Sequence, residues 1–376
     1  MSPTAKLLAD LIALRSVNPA FLPPRDRHAG EGRVAEFLAA VAARAGLDVE
    51  FQRVLPQRPN LLARLNPAGK IRRTILLAPH LDTVNVMNET QFVPKSKGDR
   101  LSGRGACDTK GCVAAMLSAL CELARSKARP RETEVVFAGL IDEEHGQAGS
   151  RALAKSRFKA DLAIVGEPTR LRVVTAHKGS LWLQLETRGK AAHGATPQFG
   201  RNAVHEMARV VEALQTGYAA RLRRRHHRLL GHATVSVGTI AGGTQANIVP
   251  DRCLISVDRR TLPGETEAGV LREVGAWLRA RKLKPRISSV RLAPCPPLET
   301  NARLPQVRQF LRCAGQARPE GVDYFCDAAV LAQGGIPSVV FGPGDIAQAH
   351  TADEWISLAQ LERGRAMLFE FLKSLP

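Results

Sequence analysis

The chain has 376 residues, 44% hydrophobic and 24% charged, with 54 Lys and Arg against 35 Asp and Glu and a net charge of +19. That length predicts two domains rather than one, and the composition is ordinary for a globular enzyme. The charge permits nucleic-acid binding, but the arginines are spread along the chain. The one dense cluster, RLRRRHHR at 221 to 228, has no interleaved aromatics, and no RRM, KH or zinc-finger pattern is present. A solvated basic surface that attracts anionic substrates is favoured over a nucleic-acid partner, since charge alone is only the non-specific term.

The N-terminal MSPTAKLLADLIALRSVNP puts Leu7, Leu8, Leu11 and Leu14 on one predicted helix face. Lys6 and Asp10 interrupt its apolar run, so it does not read as a signal peptide. No segment is long and apolar enough to span a membrane. Export is not supported; a cytoplasmic protein with no membrane partner is expected. The cysteines are Cys107, Cys112, Cys121, Cys253, Cys295, Cys313 and Cys326. Odd in number and scattered, they read as reduced, mostly buried thiols rather than a disulfide framework.

Apolar strands and amphipathic helices then alternate. EGRVAEFLAAVAARAG reads as a helix, TILLAPHLD as a strand and GCVAAMLSALCELARSK as a helix; EVVFAGLIDEE and DLAIVGEPT read as strands. This order predicts an α/β fold with a mostly parallel sheet sandwiched by helices. Ligands gather at the carboxyl ends of such strands, and each of these ends in an acid or a histidine. The texture changes near residue 177. SLWLQLETRG, ATVSVGTIAGG and RCLISVDRRT read as strands, and GRNAVHEMARVVEALQTGYAARL and ETEAGVLREVGAWLRARKL as helices. These predict an inserted two-layer α+β unit with an antiparallel sheet, over 177–289. LPQVRQFLRCAG and PSVVFGPG return to the first texture. The first domain is therefore expected over 1–176 and 290–376.

Residues two apart on a strand share a face, so His80 and Asp82 in HLDTV sit side by side at a strand end. A metal-bound histidine commonly donates its other N–H to a carboxylate, and His-x-Asp supplies both. Alone, such a histidine is more often a hydrogen-bonded structural residue. Asp108, in GRGACDTKG, stands before a helix and reads either as an N-cap or as a ligand. EVVFAGLIDEEHG ends in Asp142, Glu143 and Glu144, three adjacent acids that repel one another unless a metal or a buried base offsets the cost. Glu167 follows another apolar run, and His350 lies just past the glycine-rich FGPGD turn. Two histidines and several carboxylates, all after strands of one sheet, suit zinc, manganese or cobalt.

The ordered set HLDTV, GRGACDTKG, DEEHG, VGEPT and AQAHTADEW is similar to the M20 metallopeptidase family, over essentially the whole chain. The resemblance implies a catalytic α/β domain with two divalent metal ions, zinc above cobalt or manganese, and an inserted lid or dimerisation domain. It implies that His80 and Glu167 bind one metal, Glu144 and His350 the other, and Asp108 both, while Asp82 orients His80. Spacing alone does not say which of Glu143 and Glu144 is the base; the resemblance assigns Glu143, acting on water activated by the metals. It implies a cis Asp108–Thr109 peptide and a homodimer. In the insert, His193 of AAHGATP matches a lid histidine that stabilises the oxyanion. Asn247 of GGTQANIVP matches an asparagine near substrate, and Arg260 of VDRRTLPGE an arginine that grips the substrate carboxylate, with Arg259 adjacent. Gly342 and Gly344 offer backbone N–H groups to a carboxylate, or simply make a turn.

The GPGDIAQAHTADEW segment resembles the acetylornithine deacetylase branch, implying hydrolysis of a small N-acyl amino acid. A dipeptidase, a carboxypeptidase or a succinyl-diaminopimelate desuccinylase is the alternative. Cys107 reads as packing, and His177 as a hinge hydrogen bond. YFCDAAV keeps Asp327 but puts Cys326 where relatives carry a small polar residue.

Overall fold

The computed structural model describes residues 1–24, 26, 29–291 and 293–376. In chain order, the strands that organise the molecule are β1 (Asp48–Leu55), β2 (Arg58–Leu65), β3 (Arg73–Pro79), β4 (Thr133–Gly139), β5 (Leu162–Gly166), β6 (Gly179–Arg188), β7 (Thr234–Gly242), β8 (Arg252–Thr261), β9 (Arg286–Ser289) and β10 (Ser338–Val340). The main helices are α1 (Pro3–Ala13), α2 (Gly32–Arg44), α3 (Lys110–Arg125), α4 (Ala203–Ala213), α5 (Glu267–Arg279) and α6 (Leu358–Lys373).

Two compact units form. The first holds Met1–Thr175, Thr300–Glu320 and Cys326–Pro376; the second holds Ala176–Glu299 and Gly321–Phe325. Residues 290–299, expected with the first domain, group with the second. Leu298 and Glu299 pair with His177 and Ala176, and Ser180 bridges to Cys295. Gly321–Phe325 joins them, and the Lys178 N–H donates to the Val322 carbonyl.

In the first unit the strand order is β1-β2-β4-β3-β5-β10. The four central strands β4, β3, β5 and β10 run parallel, and β1 and β2 add antiparallel pairs at one side. Every residue of β4 and β5 is buried, as are Ile75 to Ala78 of β3. Strands buried on both faces are near-continuous apolar runs, and helices must cover both sides. Residues of α1, α2, α3 and α6 pack with Ile75, Leu77, Val135, Phe137 and Ile164 in one core. On α1 the buried residues are Leu8, Leu11 and Ile12, with Thr4 and Ala5; Leu7 and Leu14, expected on that face, are half-buried at its margin.

The second unit carries an antiparallel sheet in the order β7-β8-β6-β9. β8 alternates buried and half-buried residues, as a sheet with one covered face requires. Met207 and Val210 of α4 and Val270, Val274 and Leu278 of α5 pack on Leu183, Leu185, Ile255 and Val257. The predicted helix over 200–222 is helical from Ala203 to Arg223, with a π-turn at Leu214–Tyr218. Part of the basic cluster is internally neutralised: Arg221 lies 3.1 Å from Glu273, and Arg225 3.2 Å from Glu265.

His177 is fully buried. Its Nδ1 donates to the Lys178 carbonyl at 2.9 Å, and its Nε2 has no hydrogen-bond partner. Burial pulls its pKa down to about 4. An unfolded histidine titrates at about 6.5. Between those values the unfolded chain binds the extra proton, so stability falls as pH drops through 6.5 and levels off below 4. From pH 7 to pH 5 this one group should cost about 2 kcal/mol. His177→Gln is expected to lose that share of the acid sensitivity in urea unfolding at the two pH values; equal losses in both proteins would show that His177 is not its source.

Candidate metal centre

The parallel register builds this centre. His80 follows β3 and bridges Leu140, the residue after β4, while Pro79 lies opposite Gly166, the end of β5. His80, the Asp142–Glu144 turn and Glu167 therefore emerge at one sheet edge. Asp142 has a φ of 65°, a left-handed conformation that aspartate tolerates better than most residues, and the chain turns sharply there. Asp108 comes from the loop before α3, and His350, with a φ of 61°, from the segment after β10.

His80 Nε2 lies 3.1 Å from Asp108 Oδ1 and 4.0 Å from Glu167 Oε1. His350 Nε2 lies 3.2 Å from Asp108 Oδ2 and 3.2 Å from Glu144 Oε2. One carboxylate thus meets two imidazoles, one on each oxygen. Ligand atoms of His80, Asp108 and Glu144 all fall within 4.8 Å of one another. The His350 side chain is 54% exposed, so the cluster opens to solvent on that side, whereas His80 is 2% exposed.

Two buried carboxylates brace this cluster from behind. Asp82 Oδ1 lies 3.4 Å from His80 Nδ1 and accepts the Glu143 N–H at 3.1 Å. Asp82 Oδ2 accepts the Glu144 N–H at 3.1 Å and the Asn18 amide at 2.8 Å. Glu354 accepts the N–H groups of Gly105, Cys107 and Asp108 at 2.8–2.9 Å, and Arg104 Nη1 at 2.8 Å. The loop that presents Asp108 is folded around that one carboxylate. The Asp108–Thr109 peptide is cis. Asp108 is not an N-cap: Thr109 precedes α3 and makes no side-chain cap.

The electrostatics call for positive charge. Exclusion from water raises Glu144 to about 7, with Asp108 pushing the same way. Burial raises Glu143 and Glu167 well above the usual carboxylate range, and neighbouring acids add to it. Burial also raises Asp327 to about 6. Against the cost of burial, hydrogen bonds from His350 and His80 hold Asp108 below the ordinary value. Hydrogen bonds to Asp108 and Glu144 raise His350 to about 10. Glu144 Oε1 is buried with no hydrogen-bond partner. An orphaned buried oxygen among imidazole nitrogens and carboxylates is what a divalent cation with N/O preference would satisfy, so these residues fit a metal.

A family model described as peptidase family M20/M25/M40 matches residues 76–374. The chain belongs to peptidase family M20. The acetylornithine deacetylase of Myxococcus xanthus is 31% identical over 345 residues, covering 86% of this chain and 87% of the relative. An M20 family metallo-carboxypeptidase from Sulfolobus solfataricus superposes with a TM-score of 0.79 at 19% identity, covering 99% of each chain. A Bacillus subtilis protein described as a dinuclear metal-binding peptidase of the family superposes with a TM-score of 0.72 at 13% identity, covering 98% of this chain and 96% of that one. As an M20 member the chain is a metallohydrolase acting on amide bonds.

Of the other expected site residues, His193, Asn247 and Arg260 lie in the second unit and Gly342 in the first. His193 and Asn247 are neighbours: His193 bridges Ile248, and the Gly194 N–H donates to the Asn247 carbonyl at 2.7 Å. His193 is exposed, and its Nδ1 accepts the Ala195 N–H at 3.0 Å. Arg259 is fully buried and paired with Glu265 at 2.6 Å. Arg260 is the accessible one of the two, its side chain 32% exposed and 3.0 Å from Asp258. Gly342 must be corrected. Its N–H donates to Thr169 Oγ1 at 3.1 Å, and that of Gly344 to Gln360 Oε1 at 3.1 Å, so neither is free for a substrate carboxylate. The turn reading holds: a Cβ at Gly342 would lie 2.3 Å from Cys112 Sγ and 2.7 Å from the Glu167 carbonyl oxygen.

Cys107 is buried and its thiol donates to the Asp345 carbonyl at 3.2 Å. Asp327 is buried and bonds Ser150 at 2.5 Å, and its charge contributes to the raised Glu143 and Glu167. Sequence reasoning left out Asn18, Glu31, Arg58, Arg104 and Glu354. Glu354 was within sight, in the quoted HTADEW, as an acid four residues after the candidate ligand His350. In metal-free protein, Glu354→Ala is expected to lower the unfolding free energy by about 3–5 kcal/mol, because it strands the buried Arg104. Urea unfolding reads it; a loss under about 1 kcal/mol would mean that the loop is held by other contacts.

Proposed function

We propose that this M20 member hydrolyses the amide bond of an N-acyl amino acid, as an acetylornithine deacetylase-like enzyme. The observation that carries the reading is Asp108, with His80 Nε2 and His350 Nε2 about equally close to its two oxygens, 3.1 and 3.2 Å. That is the arrangement a carboxylate shared between two cations needs. His80 and Glu167 would complete one position, and Glu144 and His350 the other, with zinc preferred and cobalt or manganese able to substitute. When bound, two such ions supply Lewis acidity to the scissile carbonyl and acidify water between them.

The protein's own groups do the rest. Asp82 meets His80 Nδ1 with its backbone carbonyl at 3.1 Å and its carboxylate Oδ1 at 3.4 Å, which would fix the tautomer that ligates through Nε2. Glu143 is the general base: it takes a proton from water and passes it to the leaving nitrogen. Its backbone N–H is tied to Asp82, so base and ligand orienter keep a fixed separation. His193 would donate to the oxyanion, and Asn247 and Arg260 would hold the substrate, Arg260 through its carboxylate. A homodimer in the cytoplasm is the assembly and place we infer. The names of the similar relatives favour the deacetylase reading over the peptidases.

Metal-stripped protein should be inert toward N-acetylornithine and regain activity with zinc or cobalt. Glu143→Gln should lower kcat by about 10²–10⁴-fold while still taking up two ions. Preferential hydrolysis of dipeptides or N-succinyl-diaminopimelate would keep the centre and move the substrate to another branch. A chain that takes up no metal would sink the reading.

A further inference from the structure

Behind Asp82 lies a buried array that the reaction as proposed does not use. The Arg58 guanidinium grips Glu31 in a fork, Nε to Oε2 at 2.6 Å and Nη2 to Oε1 at 2.7 Å. The same Nη2 lies 3.2 Å from Asp142 Oδ1. Glu31 Oε1 also accepts the Asp142 N–H at 3.0 Å. Asn18 donates its amide to two carboxylates at once, Asp142 Oδ1 at 2.9 Å and Asp82 Oδ2 at 2.8 Å. Glu31 and Asp82 are fully buried, Asn18 is 1% exposed and Asp142 6%. Three buried carboxylates thus share one guanidinium and one amide.

A purely structural core would not need this arrangement, since apolar side chains of similar volume often serve as well as a buried ion pair. Its geometry has a direction. Arg58 and Glu31 hold the side chain and backbone N–H of Asp142, the residue whose left-handed φ begins the turn. That turn sends the next two N–H groups to the two oxygens of Asp82. Asn18 locks the two carboxylates at a fixed spacing, and only a side-chain amide offers two hydrogens on one short arm. Asn18 is itself held: its N–H donates to the Thr83 carbonyl at 2.9 Å, and its Oδ1 accepts the Ala20 N–H at 3.1 Å.

We propose that Asn18, Asp142 and the Glu31–Arg58 pair are positioning residues that aim Asp82 at His80 and hold the Glu143–Glu144 peptide in register with it. The inference rests on the metal-centre reading above. Outer partners of metal-binding histidines commonly change metal affinity by 10–100-fold when removed. Asp82 reaches the His80 ring itself but reaches Glu144 only through its backbone N–H, so the ion held through His80 should weaken far more than the one held through Glu144.

The test is a zinc titration of metal-free protein against a chromophoric chelator, with melting temperatures measured on the same metal-free samples. The variants are Asn18→Ala, Arg58→Ala and the milder Arg58→Lys, which keeps the charge but loses the fork. Asn18→Ala and Arg58→Ala are expected to bind two ions with one affinity 10–100-fold weaker and the other within about 2-fold of wild type. Arg58→Lys should fall between Arg58→Ala and wild type, and if the alanine variants fail to fold, its selective weakening alone carries the result. Lower melting temperatures with both affinities unchanged would overturn the proposal, leaving the array a matter of stability. Equal weakening of both ions would overturn it too. Wild-type protein that takes up no zinc would instead strike down the metal-centre reading, and the inference with it.

Discussion

Buried negative charge is the constraint that the rest of the first unit is arranged around. Asp108, Glu143, Glu144, Glu167 and Asp327 are gathered where water does not stabilise their charge, with His80 and His350 among them, and Arg151 acting on Asp327, to answer it. Such a group holds protons or cations, or it flies apart. The parallel sheet makes the crowding possible, because β3, β4, β5 and β10 all finish at the same edge. Their apolar runs are covered on both faces, so the cost of that edge is carried by a large packed core.

The two central side chains are supported by one device used twice. Asp82 backs His80, and Glu354 backs the loop of Asp108. Each is a buried carboxylate saturated mostly by backbone N–H groups from a turn distant in sequence. Asp82 collects residues 143 and 144; Glu354 collects 105, 107 and 108. A carboxylate used this way is a template: the loop takes its shape from the directions in which the lone pairs accept. Placement of these side chains then depends on rigid acids rather than on loop propensity, consistent with a glycine-rich loop that has little preference of its own.

The part of this that was legible in the sequence had an energetic signature over a short window. Acids directly after buried apolar strands are expensive, and the alternation of those strands with helices read as α/β. The insert announced itself by its change from continuous to alternating apolar pattern. Asn18, Glu31 and Arg58 had no such signature. In SVNP an asparagine looks like a cap, which it also is, and Glu31 looks like the start of an exposed helix. Their roles come from partners 27 to 124 residues away, which no local pattern reports. The boundary after residue 289 was missed for a related reason: Leu298–Glu299 is a two-residue strand, too short to show a period. Gly342 was misread because a glycine's free-looking N–H shows its acceptor only in the folded chain.

The order in which these pieces leave the ribosome also matters. His80, Asp108, Glu144 and Glu167 belong to the first half of the chain, but His350 and Glu354 come near the end of its 376 residues. Domains fold largely as they are synthesised, yet this centre can neither fix its aspartate loop nor complete its histidine pair until synthesis has passed Glu354. Nascent and prematurely ended chains therefore carry the acids without the means to use them. On the proposed reading, hydrolytic competence would arrive only once synthesis has passed His350 and Glu354.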